Sequence, residues 1–137
     1  MQGRLVRLSL TLVLSLASLV MLRCGGSSFD RVLQSISISP QEANGQAQYV
    51  ATGVFSAPPV KVTPLPVNWC VQNPKSASPA LCAPSSTPPV ITSQGLASCG
   101  TLTFSVAVFA EAPADPKLPL NAQGVPGVIG TATLACP

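Results

Sequence analysis

The chain contains no histidine, and that absence removes more chemistry than any residue present adds. Serine–histidine and cysteine–histidine catalysis are excluded, together with every metal site that needs an imidazole. Carboxylates are nearly as scarce: Asp30, Glu42, Glu111 and Asp115 are the only four. None forms a D-x-D or E-x-x-E pair, so no local acid–base couple is written into the chain. Glu111 and Asp115 share a stretch with Pro and Ala, where a weak calcium site is one reading and a solvated loop the plainer one. The many serines have no base to activate them. The expectation is therefore a protein that is not an enzyme and has no cofactor or metal.

Charge is also sparse, and its raw balance misleads. The formal net charge is +3, but Arg4, Arg7 and Arg23 lie in the first 23 residues. From Cys24 onward Arg31, Lys61, Lys75 and Lys117 balance the four acids. A neutral chain without basic clusters argues against nucleic acid and against electrostatic attachment to anionic lipid. Long helix-forming runs are missing as well, whereas Ser, Thr, Pro and Gly are plentiful. That mixture reads as one small all-β domain with extended loops.

What is present begins with a leader. Arg4 and Arg7 precede Leu8 to Leu22 (LSLTLVLSLASLVML), an uncharged run followed, after Arg23, by Cys24-Gly-Gly-Ser-Ser28. A basic start, a short apolar core and small residues at a processing site are the layout of an export signal. The run is shorter than the ~20 residues of a spanning helix. The cysteine after it resembles the lipobox of bacterial lipoproteins, which implies lipidation of Cys24 and a flexible Gly-Gly-Ser-Ser tether. Met21 and Arg23 depart from the lipobox pattern, and cleavage after Gly26 or Ser27 is the competing route. The expected organisation is a signal peptide over 1–23, a tether over 24–31 and a domain over 32–137. The implied location is the bacterial cell envelope, with the membrane as partner through the lipid on Cys24; release as a secreted domain is the other outcome.

Within the domain, Leu33-Gln-Ser-Ile-Ser-Ile-Ser39 alternates and stops at Pro40, as an edge strand does. Gln41 to Gly45 reads as a turn. Gln46 to Ser56 reads as a second strand, with Tyr49, Ala51, Gly53 and Phe55 on one face. The proline-rich stretch 57–66 suits an extended loop. Val67 to Val71 is a third strand, carrying Val67, Trp69 and Val71 on one face. Residues 73–89 form an excursion that includes Cys82. Val90–Thr92 and Leu96–Ser98 flank a Gly95 turn. Thr101 to Ala110 is expected as a strand with Leu102, Phe104, Val106 and Val108 inward. A loop over 111–126 leads to a last strand, Val128 to Cys136.

Cys70, Cys82, Cys99 and Cys136 remain once Cys24 is set aside. An even count in an exported small domain points to two disulfides, with three connectivities open. No C-x-x-C pair occurs, which disfavours a structural zinc.

The segments LQSISISP (33–40), GQAQYVATGVFS (45–56) and VNW (67–69) resemble a bacterial immunoglobulin-like domain of group 2, and Gly95, Gly100-Thr101 and Gly130-Thr131 follow its later pattern loosely. The resemblance spans about residues 32–136, apart from the proline-rich inserts and the four cysteines. It implies a two-sheet immunoglobulin-like β-sandwich with Trp69 in the core, used as a structural or adhesive surface module. If the strand from Thr101 and the strand ending at Cys136 are antiparallel neighbours, Cys99 lies within bridging reach of Cys136. Cys70 and Cys82 then close a local loop, and alternation turns Cys70 away from the face that carries Trp69. A surface protein or a glycan is the implied partner. A carbohydrate-binding domain is the alternative role. It needs an exposed aromatic, and Phe109, on the face opposite Phe104, is the candidate; Tyr49, Phe55, Trp69 and Phe104 read as core.

Overall fold

A computed structural model describes residues 30–73, 81–82 and 89–137. The leader, Cys24 and the tether up to residue 29 lie outside the described residues, as does most of the 73–89 excursion. The described chain is all-β. Its strands are β1 (Leu33–Ser39), β2 (Glu42–Asn44), β3 (Gln46–Gln48), β4 (Val50–Phe55), β5 (Lys61–Val62) and β6 (Asn68–Gln72), then β7 (Leu81–Cys82), β8 (Val90–Ile91), β9 (Leu96–Ser98), β10 (Val106–Pro113) and β11 (Gly127–Ala135).

These form three hydrogen-bonded sheets, ordered β1-β4-β5, β2-β11-β10-β6-β7 and β3-β9-β8. The expectation is two sheets. The third arises because the stretch 46–55 is shared: only Tyr49 separates β3 from β4, and its N–H bonds to Gly95 O at 2.8 Å. One continuous run of chain thus pairs first with β9 and then with β1. The chain also changes partners after the first strand. β1 is antiparallel to β4, while β2, which begins three residues after β1 ends, is parallel to β11. That exchange lets a single segment edge two different sheets.

Side-chain alternation explains which face is buried. Ile36 and Ile38 turn inward from β1, and a register shift between Leu33 and Ser35 brings Leu33 to the same side despite its odd spacing. Tyr49, Ala51 and Phe55 meet Trp69, Val71, Val108, Ala110 and Leu134 in one core. Burial of Val71, Val108, Leu134 and Ile91, each 1% exposed or less, contributes about 1.5–3 kcal/mol apiece. β1 and β11 approach closely at Gly130, where a Cβ would lie 2.8 Å from Ile36 Cγ2 and from Ile36 O. The packing of opposed sheet faces over this core is sandwich-like.

The strand expected from Thr101 to Ala110 is displaced. β10 begins at Val106 and runs on to Pro113. Residues before it turn instead: Gly100 has φ 62°, and Leu102 N–H bonds to Cys99 O. Leu102 and Phe104 reach the core from this turn as half-buried side chains, and the inward face of the strand is Val106, Val108, Ala110 and Ala112. Alternation runs unbroken from Leu102 onward, so periodicity cannot mark the start; the ladder partner can, because Val106 pairs with Leu134 near the end of β11. Likewise the turn at 41–45 contains β2 and the loop at 57–66 contains β5, each recruited by a neighbouring strand edge.

Candidate functional site

The two disulfides sit in different settings. Cys70 is joined to Cys82 and Cys99 to Cys136. Cys70 and Cys82 are direct partners on β6 and β7 within one sheet, with Cα atoms 3.9 Å apart, and Cys82 is exposed. Cys99 and Cys136 are both buried and tie the start of the β9–β10 connection to the end of β11. Gly45 reinforces that corner, donating to Ala135 O and accepting from Cys99 N–H.

Two grooves lie side by side. The first, about 490 Å³, runs over Tyr49, Trp69, Pro64, Leu65 and Pro66, with Gln48, Asn68 and Gln94 among its polar lining. Two of its amides are committed to the backbone: Gln48 Nε2 donates to Gln94 O at 2.6 Å, and Asn68 Nδ2 to Leu120 O at 2.7 Å. Its aromatics are core residues, Tyr49 being 1% and Trp69 5% exposed, with ring centroids 6.5 Å apart. The Tyr49 hydroxyl donates to Thr133 O at 2.8 Å. Burial pushes the phenol of Tyr49 above its ordinary pKa, because the phenolate would lose hydration.

The second groove, about 370 Å³, shares Leu65, Pro66 and Leu120 with the first. Phe55, Val62, Pro113, Pro116 and Leu118 line it, and Arg31 is its one charged group. The Arg31 guanidinium carbon sits 3.6 Å from the Phe55 ring centroid. Its Nη2 donates to Pro59 O at 2.7 Å and its Nε to Ala57 O at 3.2 Å. This arrangement ties the start of the domain to the proline loop, and no sequence signal anticipates it. Arg31 is one residue outside the expected domain boundary, and its partners lie more than 25 residues on.

The remaining candidate residues fall as follows. Cys24 lies outside the described residues. Phe109 is half-buried, between Cys70 and Thr131 on the outer side of the five-stranded sheet, so it is not the freely exposed aromatic that a glycan platform needs. Tyr49, Phe55 and Trp69 are buried, and Phe104 is half-buried against the core. Glu111 belongs to β10, while Asp115 accepts a bond from Lys117 N–H at 2.9 Å in the turn beyond it. Among the described residues no three His, Cys, Asp or Glu side chains converge as metal ligands would. Compared with protein-family models, curated proteins and solved structures, the chain matches none.

Proposed function

We propose that this chain is a non-catalytic lipoprotein of the bacterial cell envelope, whose single immunoglobulin-like domain acts as a structural or adhesive surface module. The observation that carries the reading is the exchange of partners between β1 and β2. One edge segment pairs antiparallel with β4 and then, past Pro40, parallel with β11. Together with Trp69 in the core, this agrees with the arrangement of an immunoglobulin-like sandwich. Two disulfides in so small a domain agree with an oxidising compartment outside the cytoplasm. The carbohydrate-binding alternative has less support, since Phe109 is half-buried and Trp69 shows only 5% of its surface.

The deciding experiment is the intact mass of protein purified from detergent-solubilised bacterial membranes. The expected mass is that of residues 24–137 plus a diacylglyceryl and an acyl group, less four hydrogens for the two disulfides. A soluble, unlipidated mass beginning near Ser27 would overturn the anchor and move the domain to the secreted class.

A further inference from the structure

Among the described residues, four of the seven large hydrophobic side chains that remain exposed gather at one end of the domain. They are Val32, Val60, Leu118 and Leu120. Backbone hydrogen bonds set Val32 and Val60 beside the same strand end, the two leucines share a groove, and Leu33 N–H bonding to Ala114 O at 2.7 Å ties the start of β1 to the leucine-bearing loop. Ser56 N–H bonds to Val32 O, Phe55 N–H bonds to Val60 O, and both leucines line the groove over Phe55 and Arg31. Pro113, Pro116 and Pro119 brace the leucine-bearing loop. Scattered exposed apolar residues need no explanation, but their concentration at one end of a small domain does.

That end is also where the chain enters. Asp30 and Arg31 stand beside the cluster, with Asp30 paired to Lys117 at 3.2 Å. Cys24 is six residues before Asp30, so even a fully extended tether spans only about 20 Å. The opposite end is polar: Glu42, Asn44, Ser105 and Thr133 surround the recess there. β11 separates the two ends by about 26 Å, at ~3.3 Å per residue.

We propose that this end of the domain rests on the phospholipid bilayer, with Val32, Val60, Leu118 and Leu120 entering the interface and Arg31 and Lys61 at its rim. The proposal rests on the lipid-anchor reading, which supplies the reason that a small apolar cluster suffices. A tether this short keeps the cluster at high effective concentration beside the membrane, so the contact needs little affinity of its own. Arg31, Lys61 and Lys117 share this end with Asp30, Glu111 and Asp115, so charge is balanced and apolar burial drives the contact. Lipid charge and salt are therefore expected to matter little.

The test uses the full chain, purified from membranes and reconstituted into zwitterionic vesicles with brominated acyl chains, which quench nearby indoles. Three variants are compared with the wild type, whose Trp69 is buried: Leu118→Trp, Leu120→Trp and, at the far end, Asn44→Trp. All three positions are exposed, and unchanged melting temperatures verify folding. The expected result is loss of emission for both leucine positions and none for Asn44→Trp. Protein that floats with the vesicles but shows no quenching, or equal quenching at both ends, overturns the proposal and leaves the anchor reading intact. Protein that fails to float overturns the anchor reading and the proposal with it, and flotation alone distinguishes that case.

Discussion

The Tyr49 hydroxyl donates to the backbone carbonyl of Thr133, 84 residues away, at 2.8 Å. This bond links the strand run 46–55 to β11 in a different sheet, through a side chain that is 1% exposed. Tyr49→Phe keeps the ring and leaves the Thr133 carbonyl without this donor. A loss of about 1–2 kcal/mol is expected in urea unfolding. An unchanged midpoint would show that water replaces the hydroxyl at no cost.

The same burial makes a prediction at high pH. The phenol of Tyr49 is held above its ordinary value of 10.0 by desolvation, so the folded chain keeps a proton that the unfolded chain releases. Stability is then insensitive to this group below pH 10 and falls as pH rises above it, up to the folded value. Tyr49 is the one tyrosine, which makes its absorbance titration readable without ambiguity. The native protein should titrate above pH 10 and the urea-unfolded protein near it. Coincident curves would remove the effect.

The disulfides should contribute unequally. Cys99–Cys136 closes a separation of 37 residues and Cys70–Cys82 one of 12. From loop entropy these are worth about 4 and about 3 kcal/mol. Replacing Cys99 and Cys136 by Ala should therefore lower the melting temperature more than replacing Cys70 and Cys82. The reverse order would mean that the unfolded chain retains structure around the longer loop.

Gly95 is needed for two reasons at once. Its φ is +86°, and a Cβ there would lie 2.5 Å from Tyr49 O and 3.0 Å from the Trp69 ring. Gly95→Ala is expected to cost about 2–3 kcal/mol, from backbone strain and displacement of the β3–β9 contact. Gly124 is also at positive φ, but a methyl added there would meet nothing within 4 Å, so it should tolerate alanine better. Equal losses at the two positions would assign the whole effect to φ.

Phe109→Ala removes a half-buried ring from the outer side of the five-stranded sheet. A loss of about 1–2 kcal/mol is expected, with no change in retention on glycan arrays. Abolished retention in a folded variant would restore the carbohydrate-binding reading.

Local pattern alone located much of this fold. Alternation and the proline at position 40 mark β1, and the inward faces of 46–55 and of Val67, Trp69 and Val71 follow from a period of two, because one face of each such strand lies on the core. Cys70, on the other side of β6, is buried as well, where it is bridged to Cys82. The absence of histidine and the scarcity of acids likewise restrict the chemistry before any folding is considered. Tertiary structure alone decided the rest. β2 and β5 are short strands that exist only because β11 and β4 offer them open edges, and no local signal records a distant partner. The start of β10 at Val106 was set by where β11 ends, since alternation continues equally well through the preceding turn. The half-burial of Phe109, the stacking of Arg31 on Phe55 and the gathering of Val32, Val60, Leu118 and Leu120 at one end depend on residues far apart in the chain. A period of two says which side a residue faces; only the packed sheets say what it faces.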